Sequence, residues 1–166
     1  TDQKDQITIL KAVLLIKNKI NFKLLIIGSG YEKEQLFRFI KKNNLNRCVK
    51  IINFKKNHYP ILNQAELFVL SSLFEGLPNV ILEAACLKKF IISTRCPSGP
   101  VEILKNGKGR FLYNVQDHVG LSKKILLYVK NKKNLKRKVN LNYQNLKRYD
   151  FNKNLNKYYY LVKKFI

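Results

Sequence analysis

Leu67-Phe68-Val69-Leu70-Ser71-Ser72-Leu73-Phe74-Glu75-Gly76-Leu77-Pro78-Asn79-Val80-Ile81-Leu82-Glu83-Ala84-Ala85 reads as a buried strand turning into a helix. Its first residues form a continuous apolar run, as expected of a strand covered on both faces. Gly76 and Pro78 break that run, and proline suits the first turn of the helix predicted over residues 80–87. The same alternation extends in both directions. Upstream, the spacing predicts a helix over residues 7–17, a strand over 23–27 ending at Gly28-Ser29-Gly30, and a helix over 31–42. A strand over 49–54 and a short helix over 60–64 follow. Downstream come a strand over 90–94, the turn-rich Cys96-Pro97-Ser98-Gly99-Pro100, a helical turn over 101–105 and a strand over 110–113. From about residue 117 the chain reads as helix in two or three pieces. Apolar strands separated by helices predict an α/β fold, a doubly wound parallel sheet of Rossmann-like type with a helical C-terminal tail.

Composition sets bounds on what such a fold does. The 166 residues fit one domain of ordinary size or half of a two-domain enzyme, and 46% hydrophobic content excludes wholesale disorder. No apolar stretch is long enough to span a bilayer, and residues 1–6 lack the apolar segment of a secretory signal. Cys48, Cys86 and Cys96 form no CxxC pair, which points to a reducing, cytoplasmic setting without a disulfide framework or zinc site. There are 33 Lys+Arg against 10 Asp+Glu, a formal charge of +23. The chain has no Met or Trp and abundant Lys, Asn and Ile, a mixture that codon bias toward A and T also yields. The densest basic run, Lys123, Lys124, Lys130, Lys132, Lys133, Lys136, Arg137 and Lys138, reads as a solvated helix face. The competing reading is a basic module that binds an anionic membrane or nucleic acid without chemistry.

In a doubly wound sheet, ligands bind beyond the carboxyl ends of the strands, where helix N-termini offer free N–H groups. Gly28-Ser29-Gly30 lacks the third glycine of a dinucleotide fingerprint, since Lys33 stands there, and reads as a tight turn. The loop before the 80–87 helix carries more chemistry. Gly76 lets a ligand approach the backbone, and the amides of Leu77, Asn79 and Val80 suit phosphate oxygens. Glu75 stands at the lip of this turn, and Glu83 lies about two helical turns further in, among apolar residues. Two carboxylates around a phosphate-binding turn suit a nucleotide sugar, which carries both phosphates and hydroxyls. On the residues alone a second reading stays open: Glu75 complements the helix dipole and Glu83 pairs with a lysine. His58 and His118 read as lone surface histidines, Cys86 and Cys96 as packing residues. Tyr158-Tyr159-Tyr160 with Lys157, Lys163 and Lys164 suits a membrane interface.

Phe74-Glu75-Gly76-Leu77-Pro78-Asn79-Val80-Ile81-Leu82-Glu83-Ala84 resembles the signature of retaining glycosyltransferases of the GT-B fold, family 4 (glycosyl transferases group 1): two glutamates separated by seven residues, with Gly-x-Pro among them. Leu24-Leu25-Ile26-Ile27-Gly28-Ser29-Gly30, Ala65-Glu66-Leu67-Phe68-Val69-Leu70-Ser71-Ser72, Pro97-Ser98-Gly99-Pro100-Val101-Glu102-Ile103 and residues 107–113 match neighbouring family segments in order. The resemblance covers residues 4–113 and implies one half of GT-B, the C-terminal, donor-binding domain. It implies that Glu83 binds the ribose hydroxyls, Glu75 the hydroxyls of the transferred sugar, and the amides of Gly76, Leu77, Pro78's neighbours and Asn79 the sugar diphosphate. Lys4 matches a lysine that stabilises the departing diphosphate, so that no metal or other cofactor is expected. The base is expected near residues 54–57. The family's tail helix packs across the domains. On this basis residues 1–115 form a nucleotide-sugar donor domain lacking its first strand, and residues 116–166 are helices packing on it. The expected function is transfer of a hexose, with retention, from a nucleotide-diphosphate sugar to a glycan or lipid-linked acceptor in cell-envelope polysaccharide synthesis. The acceptor-binding N-terminal domain is absent from these residues, so the chain is expected to be a fragment inactive alone, at the inner face of the membrane, with nucleic acid not a partner.

Overall fold

A computed structural model describes residues 2–107 and 111–165. Its five strands are β1 (Leu24–Ile27), β2 (Val49–Ile52), β3 (Leu67–Leu70), β4 (Phe90–Thr94) and β5 (Phe111–Tyr113). Eight helices accompany them: α1 (Gln6–Leu14), α2 (Lys33–Lys42), α3 (Tyr59–Gln64), α4 (Asn79–Cys86), α5 (Gly99–Ile103), α6 (His118–Asn131), α7 (Lys136–Asn145) and α8 (Phe151–Val162). Every strand pairing is parallel, as predicted, but the strands divide into two sheets, β1-β2 and β3-β4-β5. Among the described residues only β4 is paired along both edges. Arg110, placed at the start of the predicted last strand, and the side chains of Lys136 and Arg137 in the predicted basic run lie outside the described residues.

Alternation along the strands builds two cores, one on each face. Phe90 and Ile92 point to the side holding α1, α2 and α6, where they meet Leu10, Val13, Leu36, Ile40, Leu121 and Ile125 together with Ile26 and Val49 of the other sheet. Ile91 points the opposite way, into a cluster with Leu70, Leu112, Leu62 of α3, Ile81 and Ala84 of α4, and Ile103 of α5. Side chains on successive strand residues must go to opposite faces, so an unbroken apolar strand demands helices on both. The fold is therefore α/β and Rossmann-like, helix–sheet–helix, with a helical tail. Because β3, β4 and β5 are parallel, the loops after β3 and β4 emerge on one side of their sheet, and the sequence motif sits there.

The tail begins firmly and ends loosely packed. Asp117 caps α6 by accepting the Gly120 N–H at 2.7 Å, and Leu121, Ile125 and Tyr128 are buried. Leu146 and Tyr149, after α7, pack against the second core, and Arg148 donates to the Glu102 carbonyl at 2.8 Å. Asp150 caps α8 through the Lys153 N–H, yet no residue of α8 is buried. No described helix is long and apolar enough to cross a membrane.

Candidate active site

The site is assembled where the first residues of the chain meet the loop after β3. A 3₁₀ turn at Asp2–Lys4 lies along that loop: the Leu73 N–H donates to the Gln3 carbonyl at 2.8 Å, the Gln3 amide to the Phe74 carbonyl at 3.0 Å, and the Ser71 hydroxyl to the Lys4 carbonyl at 2.6 Å. These bonds bring the Lys4 ammonium to 2.7 Å from Glu75 Oε1, joining two residues 71 positions apart. The Ser72 hydroxyl donates to the same oxygen at 2.6 Å. Glu75 is 8% exposed and Lys4 41%. A carboxylate that buried needs a cation and hydrogen bonds, and it has both. The ammonium has three donors, so binding Glu75 leaves it others to offer outward.

Beneath the pair lies a floor of buried hydroxyls at the carboxyl ends of three strands. Ser72 and Thr94 are fully buried, and Thr94 donates to the Ser72 carbonyl at 2.9 Å. Tyr113 donates to the Leu70 carbonyl at 3.0 Å, tying β5 to β3 across β4. Burial, with the negative charge of Asp5 as a further cause, pushes the Tyr113 phenol far above its ordinary range. Burial also pushes the Cys96 thiol up, with Glu75 adding to the rise and Lys4 opposing it. Asp5, at φ 43°, is itself buried, with Oδ2 unpartnered among the described residues.

The motif's turn leads directly into α4. Pro78 is its N-cap residue, in extended conformation and without a side-chain cap, and the Ile81 N–H donates to its carbonyl. The amides of Leu77, Asn79 and Val80 make no hydrogen bond among the described residues, so they remain available to an anion at the positive end of the helix. A Cβ at Gly76 would meet nothing within 4 Å, whereas one at Gly99 would lie 2.0 Å from the Gly76 carbonyl oxygen and 2.4 Å from Pro78 Cδ. The tight packing that demands glycine is therefore at Gly99, whose N–H donates to that carbonyl at 2.9 Å, while Gly76 faces open space.

Three sequence readings are corrected here. Glu83 stands one helical turn into α4. The alternative that Glu83 pairs with a lysine is replaced: its Oε2 lies 2.8 Å from His58 Nε2. His58 is therefore not a lone surface histidine. The separation of 25 positions hides the pairing in sequence, and it forms where Leu62 of α3 and Ile81 of α4 join the same core. His118 gives no such contact among the described residues. Cys96 is buried as expected, but Cys86 is exposed and packs little. Gly99, Ser72, Thr94 and Tyr113 went unread as parts of the site. A hydroxyl run at the end of an apolar strand, Leu70-Ser71-Ser72, was the available signal.

Among the described residues no three His, Cys, Asp or Glu side chains gather to hold a metal ion. The basic run is mostly solvated, with Lys123, Lys130, Lys132 and Lys133 exposed and Lys124 and Lys138 half-buried, each 5.6 Å from the centre of the Phe111 ring.

A family model described as glycosyl transferases group 1 matches residues 1–148. An uncharacterised glycosyltransferase of Methanocaldococcus jannaschii is 41% identical over 105 residues, covering 63% of this chain and 26% of the relative. The N-acetylgalactosamine-N,N'-diacetylbacillosaminyl-diphospho-undecaprenol 4-alpha-N-acetylgalactosaminyltransferase of Campylobacter jejuni is 31% identical over 99 residues, covering 60% of this chain and 27% of the relative. The chain thus spans about a quarter of the length of these curated relatives. Among solved structures, Anabaena HepE in complex with UDP superposes with a TM-score of 0.89 over 99% of this chain and 46% of that one, at 16% identity.

Proposed function

The chain belongs to the glycosyl transferases group 1 family, and from that premise we propose that it is the donor-binding part of a retaining hexosyltransferase acting in cell-envelope polysaccharide synthesis. The donor is a nucleotide-diphosphate sugar and the acceptor a glycan or a lipid-linked glycan. In the reaction, the bond between the anomeric carbon and the diphosphate breaks, an acceptor oxygen bonds to that carbon on the same face, and the nucleoside diphosphate departs with the acceptor's proton.

The observation that carries this reading is the convergence of Lys4, Glu75 and the uncapped N-terminus of α4 on the carboxyl side of the sheet. The free amides of Leu77, Asn79 and Val80 receive the diphosphate oxygens. Lys4, held by Glu75 with donors to spare, lies beside them and offsets the charge that develops on the leaving group, in place of a metal ion. Glu75, relieved of part of its bonding to Lys4 as the diphosphate arrives, accepts hydroxyls of the transferred sugar. Glu83 accepts the ribose hydroxyls.

Transfer also needs the acceptor oxygen held against the anomeric carbon. We assign that task to an acceptor-binding domain on the same longer chain or on a separate chain, and expect these residues alone to bind the donor without turnover. Support comes from the relatives' greater length and from the break between the two sheets, which among the described residues leaves β1 and β3 each with an unpaired edge. The undecaprenol-linked substrate in the Campylobacter relative's name supports a location at the inner face of the cytoplasmic membrane.

Thermal melting with UDP, GDP and their sugar conjugates tests the donor site. A nucleotide present at about 100 times its Kd adds about 2.7 kcal/mol to the folded state and raises Tm. The expected result is a rise with one nucleotide that Glu83→Ala abolishes. An unchanged Tm with all of them, or an undiminished rise in Glu83→Ala, removes the assignment.

A further inference from the structure

The His58–Glu83 contact is a polar pairing on α4 for which the reaction outlined above has no use. His58 closes the loop after β2 and stands at the N-cap position of α3. Its carbonyl accepts the Leu62 N–H at 2.9 Å, and Leu62 is buried in the core that Ile81 and Ala84 of α4 also line, which ties the backbone of His58 to the helix of Glu83. The imidazole stacks on Tyr59 with centroids 4.9 Å apart and planes 20° from parallel, which fixes the ring as well. The negative charge of Glu83, with a hydrogen bond between the two side chains, raises the Tyr59 hydroxyl above its ordinary range, so Tyr59 as well as His58 faces this carboxylate. His58 and Glu83 side chains are 30% and 22% exposed, neither sealed in the core nor free in solvent.

Hydrogen-bond chemistry settles the direction of the contact. An ionised carboxylate only accepts, so Nε2 carries the hydrogen and donates to Oε2. That bond locks the rotation of the Glu83 side chain and uses one of its two oxygens. A carboxylate offers about four acceptor positions, so the hydrogen bonds from His58 and from the Tyr59 hydroxyl leave others free to accept from a ligand. A carboxylate on a flexible side chain would otherwise lose rotamer freedom each time it engaged a hydroxyl.

We propose that His58 is a positioning residue of the donor site, one that presents Glu83 to the sugar hydroxyls of a nucleoside diphosphate while Tyr59 backs the imidazole. The inference rests on the donor-site reading and deepens it. It places the control of nucleoside recognition in the loop after β2, apart from the diphosphate contacts in the loop after β3. His58 therefore acts on ligands that carry a ribose and is indifferent to those that do not.

The test is calorimetric titration of the full chain and of His58→Ala, His58→Gln and His58→Phe with UDP, GDP and ADP, and separately with inorganic pyrophosphate. Losing one hydrogen bond to a charged group is expected to weaken the preferred nucleoside diphosphate about tenfold in His58→Ala and His58→Phe. Glutamine retains an N–H donor, so His58→Gln is expected to recover most of that loss. Pyrophosphate affinity is expected to stay within about twofold throughout. Equal weakening of pyrophosphate and nucleotide would reduce His58 to a staple between α3 and α4 and overturn the proposal. Unchanged nucleotide affinity in all three variants would overturn it as well. If the unmodified chain binds pyrophosphate but no nucleotide, or binds neither, the donor-site reading falls first and takes this one with it. Tyr59→Phe, which keeps the stacked ring and removes the hydroxyl that also bonds Glu83, is expected to weaken nucleotide affinity less than His58→Ala does, and a larger loss would move the positioning role from His58 to Tyr59 and overturn the proposal.

Discussion

β4 and β1 are written in nearly the same language and end up in different places. Phe90-Ile91-Ile92-Ser93-Thr94 is buried at all five positions, hydroxyls included. Leu24-Leu25-Ile26-Ile27 is more apolar, yet only Ile26 is buried and Leu25 is 39% exposed. The two strands differ in their neighbours. β4 is hydrogen-bonded to β3 on one side and β5 on the other, while β1 has β2 alone. The number of flanking strands is one part of that difference, and it is a property of the sheet that the strand's own residues do not encode. It also explains why the polar floor of the site lies under β3, β4 and β5: buried hydroxyls are tolerated where neighbouring strand carbonyls are close enough to accept from them.

The sharpest way to break this comparison is a pair of truncations. Ile92→Ala, at a fully buried position, is expected to destabilise the fold by about 2–5 kcal/mol in urea unfolding, while Leu25→Ala, at a half-open one, is expected to cost less than about 1 kcal/mol. Equal losses would mean that the two sheets are packed alike. Next in size is Gly99→Ala. Its Cβ would strike the Gly76 carbonyl and Pro78, both parts of the motif's turn, so about 1–3 kcal/mol and any nucleotide-induced rise in Tm are expected to go together.

Tyr113→Phe sharpens the comparison further, because the Tyr113–Leu70 bond spans the three-stranded sheet. At neutral pH it is expected to cost about 1 kcal/mol. At alkaline pH the sign reverses in a defined way. The phenol's folded value is raised above the unfolded 10.0, so its contribution is complete below pH 10 and is lost as pH rises beyond it, when only the unfolded chain ionises. The variant is expected to lose less stability than the parent between neutral pH and pH 11, measured by denaturant midpoints. The smallest effect belongs to the tail: Leu155→Ala on α8, where no residue is buried, is expected to change stability by less than about 0.5 kcal/mol.

What could be read in advance follows the same division. The apolar strings of β1, β3 and β4 and the Gly76–Pro78 turn are local signals, and each element formed within a few residues of its predicted place. The motif from Phe74 to Glu83 announced its carboxylates because both lie within one strand–turn–helix unit. His58 announced nothing, since its meaning comes from α3 docking on α4, and neither helix specifies the other's position. Gly99 looked like an ordinary turn glycine beside Pro100, and only the distance to the Gly76 carbonyl reveals its constraint. The division into two sheets is equally silent in the strands themselves, for a parallel pairing is chosen between segments tens of residues apart.

The Lys4–Glu75 pair has a consequence in time as well as in space. Contacts between distant residues carry the entropy of closing the intervening loop, and that loop here holds α1 to β3, its ends 71 positions apart in sequence. The pair is accordingly expected to close only after those elements have condensed. A fluorophore placed on Gln3, which follows the same 3₁₀ turn, would then clock the final step of folding, so that the chain acquires its chemistry as the last act of acquiring its shape.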